Sequence, residues 1–125
     1  MAGVGLAPFA DGNALAFEVG EREILPIVKD TPVLLGLACT DPTRRTDIFL
    51  EQINQAGFSG INNWASVGMV DGNFRSVLES SGMGFDREVE FMRQAHEKGF
   101  FTLAYLFTPD EARLMADTGV DGIVA

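Results

Sequence analysis

Three stretches of this chain repeat one pattern, in which an amphipathic segment is followed by a glycine and then by a short apolar run. They are FLEQINQAGFSGINNW, FMRQAHEKGFFTLAYLF and EARLMADTGVDGIVA. Glycine adopts the left-handed conformation that often ends a helix without steric cost. A short apolar run bounded by such signals is typical of a buried strand. Each stretch therefore predicts a helix followed directly by a strand.

The predicted elements alternate along the whole chain. A fourth apolar run, Pro32 to Cys39, precedes the first repeat. Helices are predicted at about 13–28, 43–56, 86–98 and 109–118. The strands are continuous apolar runs, as expected when both faces are covered, and the intervening helices favour parallel pairing. We predict a single α/β domain over residues 1–125, with one helix, three strand–helix units and a last strand.

Two helix starts carry capping signals. Asp41 stands before Pro42, which places a capping side chain ahead of a proline in the first turn. Thr108 and Glu111 have capping-box spacing, with Thr108 at the cap and Glu111 reaching back to the Thr108 amide. We therefore expect helices to begin at these two positions.

Charge and cysteine content narrow the choice of partners. The formal net charge is −9, from 18 acidic and 9 basic residues, and the basic residues are scattered. Nucleic acids and anionic membranes are bound by clustered positive charge, so we predict neither as a partner. The single cysteine, Cys39, cannot form an intrachain disulfide and fits a reducing compartment. Because the amino terminus also lacks a signal-peptide pattern, the sequence predicts a cytoplasmic protein.

Polar side chains follow three predicted strands at their carboxyl ends, where α/β proteins place ligand chemistry. The second of these strands is predicted from Ser59 to Trp64. The groups are Cys39, Thr40 and Asp41, then Asn62, Asn63, Asp71, Gly72, Asn73 and Arg75, and then Tyr105, Phe107 and Thr108. Because parallel strands share one carboxyl edge, we expect these groups to form one polar face.

Several of these residues have two interpretations. Asp41 and Asp71 either provide oxygen ligands of the kind that Mg²⁺ prefers or have local structural roles. In the second interpretation Asp41 is a helix cap and Asp71 is a turn residue. Arg75 is a bidentate clamp for a carboxylate or phosphate, or a solvated helix residue. Tyr105 is a proton carrier or a core aromatic.

The neighbouring asparagines are distinguished by strand alternation. Asn62 and Asn63 point to opposite faces, and the one that faces a barrel interior is a candidate to bind a substrate oxygen. Cys39 with His96 as its base is a weaker alternative, because His96 lies late in a helix, where a cation complements the helix end. The chain has no GxGxxG, Walker, HExxH or CxxC motif.

The chain also resembles a known family. The runs that carry the resemblance are TPVLLGLACTDP, FLEQINQAGFSGINNWASVGMVDGNFR and ESSGMGFDREVEFMRQAHEKGFFTLAYLFTPDEARLMADTGVDGIVA. They are similar to the phosphoenolpyruvate hydrolase-like TIM-barrel family, which is related to the phosphoenolpyruvate/pyruvate superfamily. The resemblance implies a (β/α)₈ barrel of which this chain supplies the third to sixth strands. The rest is then expected from a longer chain, or from a homo-oligomer that covers the open edges.

The resemblance further implies a small carboxylate or phosphate substrate, such as phosphoenolpyruvate, and Mg²⁺-assisted hydrolase or lyase chemistry at an enolate. The alternative is a ligand-sensing or protein-interaction barrel without catalysis. The expected catalytic residues are Asp41, Asn63, Asp71 and Tyr105, with Asp41 and Asp71 as metal ligands. The expected substrate-binding residues are Thr40, Asn62, Asn73 and Arg75.

Overall fold

A computed structural model describes residues 11–69 and 72–125, and its centre is a four-stranded parallel sheet. The strands are β1 (Leu34–Gly36), β2 (Gly60–Asn62), β3 (Phe101–Tyr105) and β4 (Gly122–Val124). They pair in chain order, with Leu35 opposite Ile61 and Ile61 opposite Thr102. The predicted mixed α/β class and parallel pairing are confirmed. Closure into a barrel stays a prediction.

Five α-helices and two shorter helical segments accompany the sheet in the described residues. The α-helices are α1 (Gly12–Val19), α2 (Thr46–Ala56), α3 (Gly72–Ser80), α4 (Phe85–Glu97) and α5 (Pro109–Ala116). A π-helical turn (Gly20–Ile24) continues α1, and a 3₁₀ turn (Val67–Met69) follows β2. The sequence does not predict helix α3, because the Asp-Gly-Asn sequence at its start indicates a loop.

The glycines of the three repeats end their helices as predicted. Gly57 follows α2 with φ 101°, and Gly99 and Gly119 follow α4 and α5 with φ 93° and 84°. An L-residue pays a steric cost at these dihedrals. The repeated glycine is therefore what allows each chain segment to leave its helix and enter the next strand.

The predicted helix starts are right at one position and wrong at the other. Thr108 caps α5 by accepting a hydrogen bond from the Glu111 amide, while the Glu111 carboxylate accepts from the Phe107 amide rather than from Thr108. Helix α2 begins at Thr46 and not near residue 43, because the Asp41 side chain accepts from the Thr43 amide in a turn before the helix.

Helices cover only one face of the sheet in the described part of the chain, so the expectation of two covered faces is wrong there. Leu35, Ile61 and Ala104 are buried on the helical face, with the cores of α2, α4 and α5. Successive strand residues point to opposite faces, and the other face carries Phe101, which is 48% exposed, and the half-buried Leu103. The residues that face away from the helices are those that a closed barrel would enclose.

Candidate functional site

An open cavity of about 280 Å³ lies at the carboxyl edge of the sheet. Gly36, Asn62, Trp64 and Tyr105 line it. These residues come from the ends of β1, β2 and β3 and from the segment that follows β2. The structure thus brings Asn62 and Tyr105 together at the edge where the sequence placed the site.

The Asn62 amide is oriented by the backbone that follows it. Its Oδ1 accepts a hydrogen bond from the Trp64 amide at 3.1 Å. A Cβ atom on Gly36 would lie 3.1 Å from that oxygen and 3.4 Å from the Trp64 carbonyl oxygen, so a side chain there would crowd the amide. No partner for Asn62 Nδ2 lies in residues 11–69 or 72–125, so Asn62 can offer its Nδ2 hydrogens to a ligand.

Two aromatic side chains form the remaining wall. The ring centroids of Trp64 and Tyr105 are 5.0 Å apart at an interplanar angle of 58°, an arrangement that aromatic pairs favour. Trp64 remains 48% exposed. With the Asn62 amide, the indole N–H and the phenol make the lining uncharged and rich in hydrogen-bond donors. Such a lining suits a ligand with acceptor oxygens.

Asn63 points to the opposite face and is fully buried. Its Nδ2 donates to Glu88 Oε1 at 2.9 Å and to the Tyr105 carbonyl oxygen at 3.0 Å, and its Oδ1 accepts from the Tyr105 amide at 2.6 Å. Of the two asparagines, Asn62 therefore faces the cavity. Asn63 joins the end of β2 to the end of β3 from the helical side.

Asp41 lies in a separate polar cluster after β1. Its carboxylate accepts hydrogen bonds from Arg44 at 2.6 Å, from the Thr43 amide at 2.8 Å and from Asn13 Nδ2 at 3.1 Å. Burial would raise the pKa of Asp41, but the hydrogen bonds from Thr43 and Arg44 outweigh it and hold that pKa below its ordinary value. Thr40, the preceding residue, is buried.

The predicted residues after β2 do not converge on the cavity lining. The Arg75 guanidinium donates to the Val67 carbonyl oxygen at 3.0 Å and to Glu79 at 2.7 Å, and lies 3.6 Å from Glu111. Asn73 is exposed on α3. Asp71 lies outside the described residues.

The described donor set does not by itself fit Mg²⁺. Residues 11–69 and 72–125 contain no group of three or more His, Cys, Asp or Glu side chains that would hold an ion. The Asp41 oxygens are already occupied by an arginine, a threonine and an asparagine. The metal role of Asp41 and Asp71 stays a prediction.

Cys39 and His96 lie at opposite edges of the sheet. Cys39 follows β1 and is buried, and burial, then the charge of Glu88, raises the pKa of its thiol well above the ordinary value. His96 ends α4 with its Nδ1 3.8 Å from Asp121, which precedes β4. The two side chains therefore do not form a nucleophile–base pair.

Sequence reasoning missed three residues that build this site. Gly36 carries no chemistry and matters only through the space it leaves beside Asn62. Trp64, the only tryptophan in the chain, marks the end of a predicted strand in the sequence, and the structure shows that it is also a wall of the cavity. Glu88 carried a usable signal, because it occupies the apolar stripe of α4 with Phe85, Met92 and Ala95.

Comparison with known proteins gives the family. Residues 1–125 match the model of the phosphoenolpyruvate hydrolase-like proteins. The chain belongs to this family. The match confirms the resemblance seen in the sequence. Membership of the family does not by itself establish a reaction or a substrate for this chain.

Individual relatives are larger proteins. The chain is 51% identical over 121 residues to the ToMV resistance protein Tm-1(GCR237) of Solanum lycopersicum, and equally to the ToMV susceptible protein tm-1(GCR26) of the same plant. Each match covers 97% of this chain and 16% of the tomato protein. This chain is also 40% identical over 109 residues to the "Putative transcriptional regulatory protein y4pA" of Sinorhizobium fredii. That match covers 87% of this chain and 18% of y4pA. The chain thus spans about a sixth of these relatives.

No helix in the described part of the chain is both long enough and apolar enough to cross a bilayer.

Proposed function

We propose that this chain supplies part of the substrate site of a TIM-barrel enzyme that acts on a small phosphoenolpyruvate- or pyruvate-like molecule. The observation that carries the proposal is the uncharged, donor-rich cavity at the carboxyl edge of the parallel sheet. Ligands of parallel α/β folds bind at this edge. Membership of the phosphoenolpyruvate hydrolase-like family supports the same substrate class.

In this proposal, Asn62 Nδ2 and the Tyr105 hydroxyl donate to the carboxylate or enolate oxygens of the substrate. Donors already fixed in place stabilise charge that develops on oxygen during hydrolase or lyase chemistry. The Tyr105 hydroxyl is also the group in the lining that can carry a proton. Strands from the rest of a longer protein, or from a second copy, complete the barrel. The residues predicted to add Mg²⁺ or further substrate contacts are Thr40, Asp41, Asp71, Asn73 and Arg75. Asn63, which the sequence predicts as catalytic, is hydrogen-bonded on the helical side and takes no part in this proposal.

The first test is Asn62→Asp, measured by titrating phosphoenolpyruvate and oxalate in a calorimeter. The change keeps the shape of the side chain, removes its two donor hydrogens and adds a negative charge. A hydrogen bond to a charged group contributes roughly 1.5–3 kcal/mol, so we expect affinity to fall about tenfold or more.

The matched control is Asn54→Asp, the same change at an exposed position of α2. It is expected to leave the affinity at the wild-type value. Equal affinities for wild type and Asn62→Asp would contradict the assignment of the cavity. The same titrations with and without Mg²⁺, in Asp41→Asn and Asp71→Asn variants, test the metal prediction.

A ligand-sensing barrel without catalysis is the second candidate. The observation that favours it is the naming of relatives, since y4pA is named for transcriptional regulation and the tomato proteins for virus resistance and susceptibility. It predicts the same loss of affinity in Asn62→Asp but no turnover of phosphoenolpyruvate by the intact wild-type protein. Product release above the uncatalysed rate, lost in Tyr105→Phe, would favour the enzyme.

A further inference from the structure

We propose that Glu88 is a positioning residue that sets both aromatic walls of the cavity from the helical side of the sheet. Glu88 lies on α4 and is fully buried. Its Oε1 accepts a hydrogen bond from Asn63 Nδ2 at 2.9 Å, and its Oε2 accepts from the Val67 amide at 2.7 Å. The two carboxylate oxygens thus bind the two ends of the segment that contains Trp64.

The first of these bonds determines where Tyr105 lies. Asn63 exchanges hydrogen bonds with both backbone polar groups of Tyr105, donating to its carbonyl oxygen and accepting from its amide. An asparagine amide can do this in one orientation only. If the amide turned over, its oxygen would face the Glu88 carboxylate and its nitrogen would face the Tyr105 N–H. Glu88 and the Tyr105 backbone therefore favour the same orientation of Asn63, and Glu88 strengthens the pairing that holds the Tyr105 backbone.

The second bond determines how the chain leaves β2. The Val67 amide donates to Glu88, and the Val67 carbonyl oxygen accepts from Arg75 at 3.0 Å. Both polar backbone groups of Val67 are therefore held by side chains of opposite charge, from α4 and α3. Trp64 lies between these two tethered residues, so the two tethers restrain the backbone that carries its ring.

A carboxylate is needed at this position because three donors face it, namely the Val67 N–H, Asn63 Nδ2 and the Ser66 hydroxyl. Each oxygen of an ionised carboxylate accepts, whereas an amide has one acceptor and one donor end. In Glu88→Gln the amide nitrogen must face either Asn63 Nδ2 or the Val67 N–H. Two buried donors then oppose each other, and one tether is lost. Burial is the largest cause of the raised pKa of Glu88, and the charge of Glu111 on α5 raises that pKa further. Arg75 lies 3.6 Å from Glu111.

The test compares Glu88→Gln with Glu90→Gln, the same substitution two residues along α4 at an exposed position. The readouts are the emission maximum and anisotropy of Trp64, the only tryptophan in the chain, and the affinity for oxalate. All are measured well below the unfolding temperature of each variant. We expect Glu88→Gln to change the Trp64 emission and weaken oxalate binding about tenfold, and Glu90→Gln to match wild type.

A purely structural role for Glu88 predicts a different result. The unfolding midpoint of Glu88→Gln would fall, while the folded variant kept wild-type Trp64 emission and oxalate affinity, and this outcome would overturn the proposal. If Glu88→Gln does not fold, Glu88→Asp takes its place, because it keeps the charge and shortens the reach. Shifted emission in folded Glu88→Asp supports the positioning role, and wild-type emission with wild-type affinity refutes it.

The affinity readout rests on the proposed function, but the emission readout does not. If wild-type protein binds neither oxalate nor phosphoenolpyruvate, the proposed function fails. The Trp64 emission of the Glu88 variants still decides whether Glu88 positions the cavity walls.

Discussion

At the scale of single residues, Glu88 and Asp41 make opposite contributions to the pH dependence of stability. Burial raises the pKa of Glu88 above 4.5, against the hydrogen bonds from Val67, Asn63 and Ser66. The folded chain therefore holds this proton more tightly than the unfolded chain. The contribution of Glu88 to the free energy of unfolding is complete below pH 4.5 and is lost as pH rises through its folded pKa.

We expect the free energy of unfolding of wild type to fall relative to that of Glu88→Gln as pH rises above 4.5. Urea denaturation at a series of pH values measures it. Asp41→Asn provides the opposite sign, because the lowered pKa of Asp41 gives a contribution that is present above pH 3.8 and is lost below it. The wild-type free energy of unfolding could instead change with pH in the same direction relative to both variants. That result would contradict the opposite roles of Glu88 and Asp41.

The sequence located Asn62 and Tyr105 but not the reason for their orientation. Both were found because they end apolar runs, and parallel pairing brings such ends together. The direction of the Asn62 amide depends on the Trp64 backbone and on the absence of a side chain at Gly36. Those are contacts between different strands, and periodicity within one strand carries no information about them.

At the scale of secondary-structure elements, the glycine after each repeat helix is the sequence signal that correctly predicts where the helix ends. Gly57 has φ 101°, and a Cβ there would meet nothing within 4 Å, so substitution tests the backbone alone. We expect Gly57→Ala to lower the free energy of unfolding by about 1–2 kcal/mol. Gly57→Asn is the matched control, because asparagine tolerates the left-handed region, and its cost should be smaller. Equal costs for the two variants in urea denaturation would contradict a backbone origin.

Helix α3 is the element that sequence reading missed, and its contacts explain why. None of its residues is buried, and Phe74 and Val77 are 62% and 60% exposed. Phe74, Val77 and Leu78 have helical spacing, but the segment opens on Gly72 and Asn73, which favour a turn. Arg75 attaches α3 to the Val67 carbonyl oxygen and to Glu111, and such long-range polar contacts leave no pattern in the local sequence.

At the scale of the whole molecule, one face of the sheet is uncovered in the part of the chain that the structure describes. The family model covers the chain, but the chain spans 16% of the tomato relatives. Alternation places Phe101 on the same face as Asn62, away from the helices. In a closed barrel this face becomes the interior, whereas in the chain alone Phe101 is 48% exposed.

We therefore expect Phe101→Ala to have different costs in two contexts. In the 125-residue chain the substitution should change the free energy of unfolding by no more than about 0.5 kcal/mol, as surface changes do. In a longer protein that closes the barrel it should cost about 3–5 kcal/mol, because a core phenylalanine is lost. Phe74→Ala on α3 is the control for loss of an exposed ring, and denaturant unfolding of both proteins measures the costs. A small cost for Phe101→Ala in both proteins would mean that the face stays open and that the cavity beside Asn62 is a groove and not the mouth of a barrel.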